Sequence, residues 1–351
     1  MKKNKYSILI FIWLIAVLCV TCSCSGGAQN EKNIVNVYNW GEYIDKDLLT
    51  KFEEETGIKV IYSNFNTNED MYVKLKNGGS NYDVVVPSDY MIEKMIRENM
   101  LRPINWENVP NLKYVDKEYL HHTYDPSQKY SAPFFWGTLG IVYNTTLVEE
   151  PVESWEILWD EDYRRQIIML DSSRDSIGIA LALLGYSMNT TDLDQLKQAE
   201  DLLIKQYPLV YAYLVDQTKD IMINGEAALA VMYSGDAVDA LSENEDLAYA
   251  IPTERSNLWF DAMVIPANAK HPENAEKFIN FMLEPENAAQ NAEFVWYSIP
   301  STEAKGLLEE ELQNSEVAYP PKKVLENLEV FRDPGDMVKI YDDIWQEVKN
   351  Q

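Results

Sequence analysis

Short apolar runs of strand type alternate with helical patterns from residue 34 onward, and this alternation limits the folds open to the chain. The strand-like runs lie at residues 34–40, 58–65 and 82–87, and helical patterns follow at 45–56, 68–76 and 90–99. Asp45 suits the N-cap of the first helix, and Gly57 suits its end. Successive β-α-β units build a mostly parallel sheet that is flanked by helices. The N-terminal part is therefore predicted to be an α/β domain.

The same pattern starts again after Trp136 and Gly137. Strand-like runs lie at residues 138–143, 166–170, 209–214, 227–233, 247–251 and 259–266, and helical patterns at 176–186, 193–206 and 272–294, the last interrupted at Glu284 and Pro285. No linker rich in Pro, Gly or Ser separates the halves, so more than one chain crossing is expected. We predict two α/β lobes around a ligand cleft, lobe 1 from 34–138 plus 260–305 and lobe 2 from 139–259 plus 306–351.

The N-terminal segment has the pattern of an export signal. Lys2, Lys3 and Lys5 precede an apolar run at residues 8–20, and small residues with Cys22 and Cys24 follow. The run is too short to predict a membrane-spanning helix. We predict a lipoprotein signal peptide at residues 1–24 and a polar tether at 25–33, with Cys24 (or Cys22) as the lipidated residue. The protein is then extracytoplasmic, in a periplasm or on the outer face of the cell membrane.

Composition excludes some functions and favours others. The formal net charge is -27, which argues against nucleic acid or an anionic membrane as a partner. The same charge favours a cationic ligand without establishing one. The hydrophobic content of 46% is enough for substantial cores, so general disorder is not expected.

Signatures of catalysis and of cofactor binding are scarce. The chain has three histidines, and His121 and His122 are adjacent, which is not the spacing of a helical metal pair. All three cysteines lie in the N-terminal segment, and no nucleophile elbow or phosphate-binding glycine loop is present. Paired carboxylates leave an exported glycosidase open, although no specific motif supports it. We predict a protein that is not an enzyme and that has no cofactor or metal.

The most suggestive pair is Trp259 and Asp261, which stand two residues apart in a strand-like run. Side chains at i and i+2 of a strand share a face, so an indole and a carboxylate would lie side by side. That combination suits an alkylammonium group, through cation–π attraction and a charge-assisted hydrogen bond. A core Trp beside an Asp at a strand end is the alternative.

Aromatic and acidic residues also recur where other strands end. Ligands of open α/β sheets bind outside the carboxyl ends of the strands. The residues at these ends are Tyr38 to Tyr43, Pro87 to Tyr90, Asp171 to Asp175 and Tyr233 to Asp236. Any single cluster could be a capped turn. Together they predict one aromatic and acidic ligand site.

The chain resembles the spermidine/putrescine-binding proteins of bacterial ABC importers. The resemblance rests on Tyr38-Asn39-Trp40-x-Glu42-Tyr43, on Tyr82-Asp83-Val84-Val85-Val86-Pro87-Ser88 and on Trp259-x-Asp261-x-x-x-Ile265-Pro266-Ala267-Asn268-Ala269. Residues 55–63, 71–76 and 184–192 add to it, so that it runs from about residue 34 to the C-terminus. It implies a two-lobe, periplasmic-binding-protein type II fold that closes on a polyamine and delivers it to membrane permease subunits. A monomer is expected.

The resemblance also implies which residues contact the ligand. The predicted ligand-binding residues are Trp40, Tyr43, Ser88, Asp89, Tyr90, Asp171, Asp175, Tyr233, Trp259, Asp261 and Tyr297. Tyr233 takes a position that the family usually fills with Trp, and Asp175 matches the acid that holds a terminal amine.

The chain departs from the family pattern at several of these positions. A further family carboxylate falls on Ser172, for which the adjacent Asp171 is a candidate substitute. Gly41 replaces a hydroxyl residue, and a late glutamine has no clear counterpart near Phe331. Asp89 adds a charge that many members lack. These departures leave the choice between spermidine and putrescine open.

Two other ligand classes stay open from the residues alone. Sugar sites also use aromatic and acidic side chains, and a ferric site would use tyrosine oxygens such as those of Tyr82, Tyr90 and Tyr297. The predicted function is that of the substrate-binding component of a polyamine importer.

Overall fold

The computed structural model describes residues 33–78 and 81–351. The predicted signal peptide, with Cys22 and Cys24, and most of the predicted tether lie outside the described residues. The strands are β1 Ile34–Trp40, β2 Lys59–Phe65, β3 Val84–Val85, β4 Ser131–Asn144, β5 Ile167–Leu170, β6 Val210–Leu214, β7 Leu229–Tyr233, β8 Leu247–Ala250 and β9 Leu258–Val264.

The helices cover both parts of the sheet. They are α1 Lys46–Thr56, α2 Asn68–Lys76, α3 Asp89–Arg97, α4 Ser173–Leu183, α5 Leu193–Gln206, α6 Gln217–Ile223, α7 Ser234–Glu243, α8 Pro272–Met282, α9 Pro285–Val295, α10 Thr302–Lys305, α11 Glu310–Gln313, α12 Lys322–Leu325 and α13 Val338–Lys349. Short 3-10 turns lie mainly between β3 and β5, at Trp106–Asn108, Pro110–Tyr114, Lys117–Tyr119, Trp155–Trp159 and Glu161–Tyr163, with others at Tyr207–Leu209 and Gly335–Met337. The predicted α/β class is confirmed.

The strands form one continuous mixed sheet in the order β2-β1-β3-β9-β4-β7-β5-β6, and β8 pairs with β4 beside this path. The outer strands pair in parallel, as β1 does with β2 and β3, and as β5 does with β6 and β7. The inner pairs of β9 with β3 and β4, and of β4 with β7 and β8, are antiparallel. The predicted parallel arrangement therefore describes the outer strands, whereas the middle of the sheet is antiparallel.

The long strand β4 connects the two parts of the sheet. Its first half, to Thr138, pairs with β9, and its second half, from Leu139, pairs with β7 and β8. The register shifts between Pro133 and Phe135, where proline cannot donate to the ladder. The sequence predicted a strand that starts at residue 138. That prediction missed the first half because this half is buried on both faces and shows no alternation.

The predicted helix signals at Asp45 and Gly57 are confirmed. The Asp45 carboxylate accepts a hydrogen bond from the Asp47 amide at the start of α1, and Gly57 ends the helix with φ 68°. A left-handed residue that closes a helix favours glycine, because a Cβ is strained there. The predicted bounds of α2 and α5 match the structure.

Separate apolar clusters lie on the two parts of the sheet. One includes Phe52, Phe278 and Met263, and another includes Trp155, Ile141 and Met169. The C-terminal helix α13 packs on α4 and α5 through Tyr341 and Trp345. The sequence analysis did not predict α6, α7 or α13, and α7 positions a site residue described below.

Candidate functional site

Trp259 and Asp261 lie on β9, as predicted, and face the same side of the sheet. Gly137 of β4 is opposite Trp259, and Phe135 is opposite Asp261. Both side chains are deeply buried, with 7% and 5% of their surface exposed. A Cβ at position 137 would lie 2.5 Å from Cζ2 of Trp259, so only glycine lets the indole lie against β4.

The Asp261 carboxylate is only partly hydrogen-bonded. The Tyr43 hydroxyl donates to Oδ2 at 2.6 Å. The other oxygen, Oδ1, is buried and forms no hydrogen bond with any described residue. Burial raises the pKa of Asp261 to about 6, and the hydroxyls of Ser88 and Tyr43 oppose that rise. Such a carboxylate gains most from a ligand that brings a positive charge and a donor.

Asp175 forms a second, better satisfied carboxylate in the first turn of α4. The hydroxyls of Ser172 and Tyr233 donate to Oδ2 at 2.7 and 2.9 Å, and the Asn257 amide donates to Oδ1 at 3.1 Å. Burial raises the pKa of Asp175, and these donors together with the adjacent Arg174 lower it. Ser172, where the family pattern has an acid, here caps α4 and supports Asp175.

Four aromatic rings connect these carboxylates; we call them the aromatic arc, and its members are Tyr43, Tyr233, Trp259 and Tyr297. The Trp259 indole meets Tyr233 edge-on at 5.9 Å and Tyr297 at 5.3 Å between ring centroids. Tyr297 meets Tyr43 at 5.4 Å. Edge-to-face pairs contribute about 0.5–1.5 kcal/mol each beyond their buried area. The arc therefore holds Trp259 firmly between Asp175 and Asp261.

Trp259 and Trp40 each bury a polar atom without a partner. Nε1 of each indole forms no hydrogen bond among the described residues. Trp40 ends β1 and packs on Phe65, with 4.5 Å between ring centroids. Buried indole N–H groups usually donate to an acceptor. These two N–H groups therefore mark positions where an acceptor atom of a ligand or a water molecule can bind.

The start of α3, with the N-cap residue before it, supplies three of the predicted residues, but they have different roles. Ser88 forms a β-bridge with Asp261. The Tyr90 hydroxyl donates to Glu69 at 3.0 Å. Asp89 accepts hydrogen bonds from the backbone amides of Tyr90 and Phe260, at 2.7 and 3.1 Å, and is 1% exposed. Oδ2 of Asp89 therefore holds α3 against β9, whereas Oδ1 bonds within the first turn of α3.

Asp171 lies apart from this network. Its Oδ1 accepts hydrogen bonds from Trp345 Nε1 at 3.1 Å and from Lys349 Nζ at 2.7 Å, both on α13. Its side chain is 39% exposed. The turn between β5 and α4 directs Asp171 and Asp175 to different partners, so the structure does not bring Asp171 into the network around Asp175.

Phe331, near which the family's late glutamine has no clear counterpart, lies under the Arg174 guanidinium. The guanidinium carbon is 4.7 Å from the Phe331 ring centroid and 4.5 Å from that of Tyr341. Arg174 also donates to the Asn189 side chain at 3.1 Å. The buried cation next to Asp175 is thus stabilised by aromatic faces and an amide.

The sequence analysis missed two residues of the site. Asn257, directly before β9, donates to Asp175 and buries Oδ1 without a partner among the described residues. Asp236, in the first turn of α7, accepts a hydrogen bond from the Tyr297 hydroxyl at 2.9 Å. The strand-end cluster at residues 233–236 was the available signal for Asp236.

The three tyrosines named for a ferric site have separate partners. Tyr82 stacks on Tyr38 with 4.2 Å between ring centroids, beneath Lys74, and the Tyr90 and Tyr297 hydroxyls each bond a separate carboxylate. Among residues 33–78 and 81–351, no group of His, Cys, Asp and Glu has the arrangement of a metal site. Over the same residues, no helix is long and apolar enough to cross a membrane.

The sheet and the buried aromatic arc define a ligand-binding protein of the α/β class. The family of bacterial extracellular solute-binding proteins matches residues 47–318. The chain belongs to this family. Its class is that of solute-binding proteins that serve transport, and its fold is the periplasmic-binding-protein type II fold.

Similar proteins in other bacteria cover nearly the whole chain. The spermidine/putrescine-binding periplasmic protein of Escherichia coli is 36% identical over 338 residues, which are 96% of this chain and 97% of that protein. A putrescine-binding periplasmic protein of Pseudomonas aeruginosa is 32% identical, over 96% of this chain and 97% of its own. The solved spermidine/putrescine ABC transporter substrate-binding protein of Streptococcus pneumoniae is 45% identical and has a TM-score of 0.79, covering 91% of this chain and 99% of its own.

Proposed function

We propose that this protein is the substrate-binding component of an ABC importer and that its ligand is a polyamine, spermidine or putrescine. The observation that carries the proposal is the buried Asp261 carboxylate beside the Trp259 indole, with an oxygen free to accept a hydrogen bond. The names of the relatives in Escherichia coli and Pseudomonas aeruginosa support the same ligand class. The proposed ligand-binding residues are the aromatic arc with Trp40, Ser88, Tyr90, Asp175 and Asp261.

The physical basis is the chemistry of an extended polycation. Aromatic faces cover its methylene groups and attract its charges, at about 0.5–2 kcal/mol for each contact. Carboxylates fix the positions of the nitrogens through charge-assisted hydrogen bonds. A bound cation also relieves the cost of ionised carboxylates that are buried together. No covalent step is needed, so we propose binding without catalysis.

We further propose that the site lies in a cleft between lobes formed by residues 34–138 plus 260–305 and 139–259 plus 306–351. In support, β4 exchanges its partner β9 for β7 and β8 between Thr138 and Leu139, at the proposed boundary. Closure of the lobes on the ligand then presents the protein to permease subunits. The protein acts as a monomer outside the cytoplasm, and Cys24 (or Cys22) anchors it to the membrane.

Thermal unfolding with a ligand panel tests the proposal. We expect putrescine and spermidine to raise the melting temperature by several degrees, because a ligand at 100 times its Kd stabilises the folded state by about 2.7 kcal/mol. The uncharged control 1,4-butanediol has the same chain length as putrescine and is expected to have no effect. A rise with maltose or ferric citrate, and none with the polyamines, would replace the proposed ligand class.

A further inference from the structure

Asp236 forms a third aspartate–tyrosine pair next to the proposed site. It lies in the first turn of α7 and accepts a hydrogen bond from the Tyr297 hydroxyl at 2.9 Å. The close approach depends on Gly235, because a Cβ there would lie 2.1 Å from Cδ1 of Tyr297. The backbone of α7 therefore lies directly against the Tyr297 ring and places the Asp236 carboxylate at its hydroxyl.

The same pairing occurs at each of three carboxylates. Tyr43 donates to Asp261, Tyr233 donates to Asp175, and Tyr297 donates to Asp236. Two of these three tyrosine rings meet the Trp259 indole edge-on. Tyr43 meets Tyr297, so the three aspartates are connected through the rings of the aromatic arc. They are not isolated acidic side chains on a surface.

Two unpaired polar atoms near these aspartate–tyrosine pairs indicate a ligand position. Oδ1 of Asp261 and Nε1 of Trp259 are buried and have no hydrogen-bond partner among the described residues. The negative charges of Asp236 and Asp261 both act on the Tyr43 hydroxyl and help to raise its pKa. Asp236 therefore belongs to the same electrostatic environment as these unpaired atoms.

Burial raises the pKa of Asp236 and the charge of Lys219 lowers it, but the ion pair of Lys219 is with another carboxylate. Lys219 of α6 has its ion pair with Asp239, one turn further along α7, at 2.6 Å. The donor that the structure records for Asp236 is the neutral Tyr297 hydroxyl. An ionised Asp236 can therefore accept a further hydrogen bond from a cationic group.

We propose that Asp236 is a third cation-binding carboxylate of the site and that it sets a preference for a triamine over a diamine. The inference rests on the proposed function and adds a specificity-determining residue to it. A triamine offers one ammonium group for each of Asp175, Asp236 and Asp261. A diamine leaves one carboxylate without a cationic partner, and leaving a buried charge unpaired is unfavourable.

Isothermal titration of spermidine and putrescine with the full-length protein and two variants tests this preference. For Asp236→Asn we expect spermidine affinity to fall by about tenfold or more and putrescine affinity to change by less than about threefold. Glu243→Gln is the matched control, since it removes an equal charge from the exposed end of the same helix, and both affinities should stay within about threefold. Equal loss for both ligands, or no loss for either, overturns the inference.

A modified ligand tests the triamine preference on the unmodified protein, so that the test does not depend on whether a variant folds. N-propyl-1,4-diaminobutane keeps the spermidine skeleton but lacks the amine of its aminopropyl arm. We expect the unmodified protein to bind it about tenfold more weakly than spermidine. Equal affinity overturns the triamine preference. Failure of the unmodified protein to bind any of these amines instead overturns the proposed function.

Discussion

Asp89 and Asp261 are both buried aspartates, but their oxygens have different partners. Asp89 accepts two backbone amide hydrogen bonds, from Tyr90 and Phe260. Asp261 accepts one hydroxyl hydrogen bond and keeps Oδ1 unpaired. Burial raises the pKa of both carboxyl groups. The difference in partners predicts that one residue maintains the fold and the other binds the ligand.

Replacing each of the two by asparagine separates these roles. For Asp261→Asn we expect polyamine affinity to fall by about tenfold or more, about 1.4 kcal/mol, because the charge is lost while an acceptor for Tyr43 remains. For Asp89→Asn we expect unfolding free energy to fall by about 1–3 kcal/mol, because an amide N–H faces a backbone N–H. Its polyamine affinity should change little. Titration calorimetry and urea unfolding measure the two effects, and a reversed pattern would exchange the assigned roles.

The sequence predicts which side chains lie together on one face of a strand. It predicts less well which side chains lie together at a turn. Trp259 and Asp261 follow from the period of a strand, and the structure places both on β9. Asp171 and Asp175 are both close to the end of β5, yet only Asp175 joins the aromatic arc through Tyr233. The direction of the chain between β5 and α4 decides which of the two aspartates contacts Tyr233. The spacing of the residues in the sequence does not determine that direction. The resemblance to the family predicts Asp175 as the acid that holds a terminal amine, and this stays a prediction.

At the scale of elements, most strands and the helices α1 to α5 were predicted, whereas the first half of β4 and the helices α6, α7 and α13 were not. The helices α1, α2 and α5 have one apolar and one polar face, so their periodicity is visible. The first half of β4 is buried on both faces and contains Pro133, which weakens any strand signal. The antiparallel inner pairs depend on how β4 and β9 meet across the sheet, which local patterns do not specify.

The contact between α7 and Tyr297 leads to a prediction for Gly235. Alanine is the better helix former, but its Cβ would lie 2.1–2.5 Å from three atoms of the Tyr297 ring. We expect Gly235→Ala to lower the unfolding free energy by about 1–3 kcal/mol through overpacking, and to weaken polyamine binding because Tyr297 and Asp236 move apart.

Gly178 of α4 provides the matched control for this substitution. It is also a buried helical glycine, but the atom nearest to an added Cβ is Cε of Met188, the flexible end of a side chain. We expect Gly178→Ala to change stability by less than about 1 kcal/mol and to leave binding unchanged. Urea unfolding and titration calorimetry compare the two variants. Equal effects at both positions would show that helical glycine in general, and not contact with Tyr297, is responsible.

At the scale of the whole molecule, ion pairs connect the two parts of the chain that are proposed as lobes. Arg332, near the C-terminus, pairs with Glu93 of α3 at 2.5 Å, and Arg97 of α3 pairs with Asp333. The C-terminal segment therefore joins α3 to the region of α4, α5 and α13. On the proposed division into lobes, the site lies where these parts meet, so we expect its buried carboxylates to affect the stability of the whole fold and not only that of one element.

The buried carboxylates also predict how pH couples to ligand binding. Burial raises the pKa of Asp236 and of Asp261 from 3.8 to about 6. Without ligand, the folded protein binds these protons more tightly than the unfolded chain. The resulting stabilisation is present below about pH 4 and is lost as the pH rises through about 6. A polyamine favours the ionised carboxylates and itself stays protonated, as an amine with a pKa of about 10 does.

We therefore expect polyamine affinity to increase between about pH 5 and pH 7.5, by about tenfold for each of the two carboxylates, because each is only about one-tenth ionised one unit below its pKa. Near pH 6 binding should release protons, and near pH 8 it should release almost none. Titrations in two buffers with different ionisation enthalpies measure this release directly. Asp261→Asn should remove the contribution of one carboxylate while the remaining pH dependence persists. An affinity that does not change over this range would show that neither carboxylate changes its proton when the ligand binds.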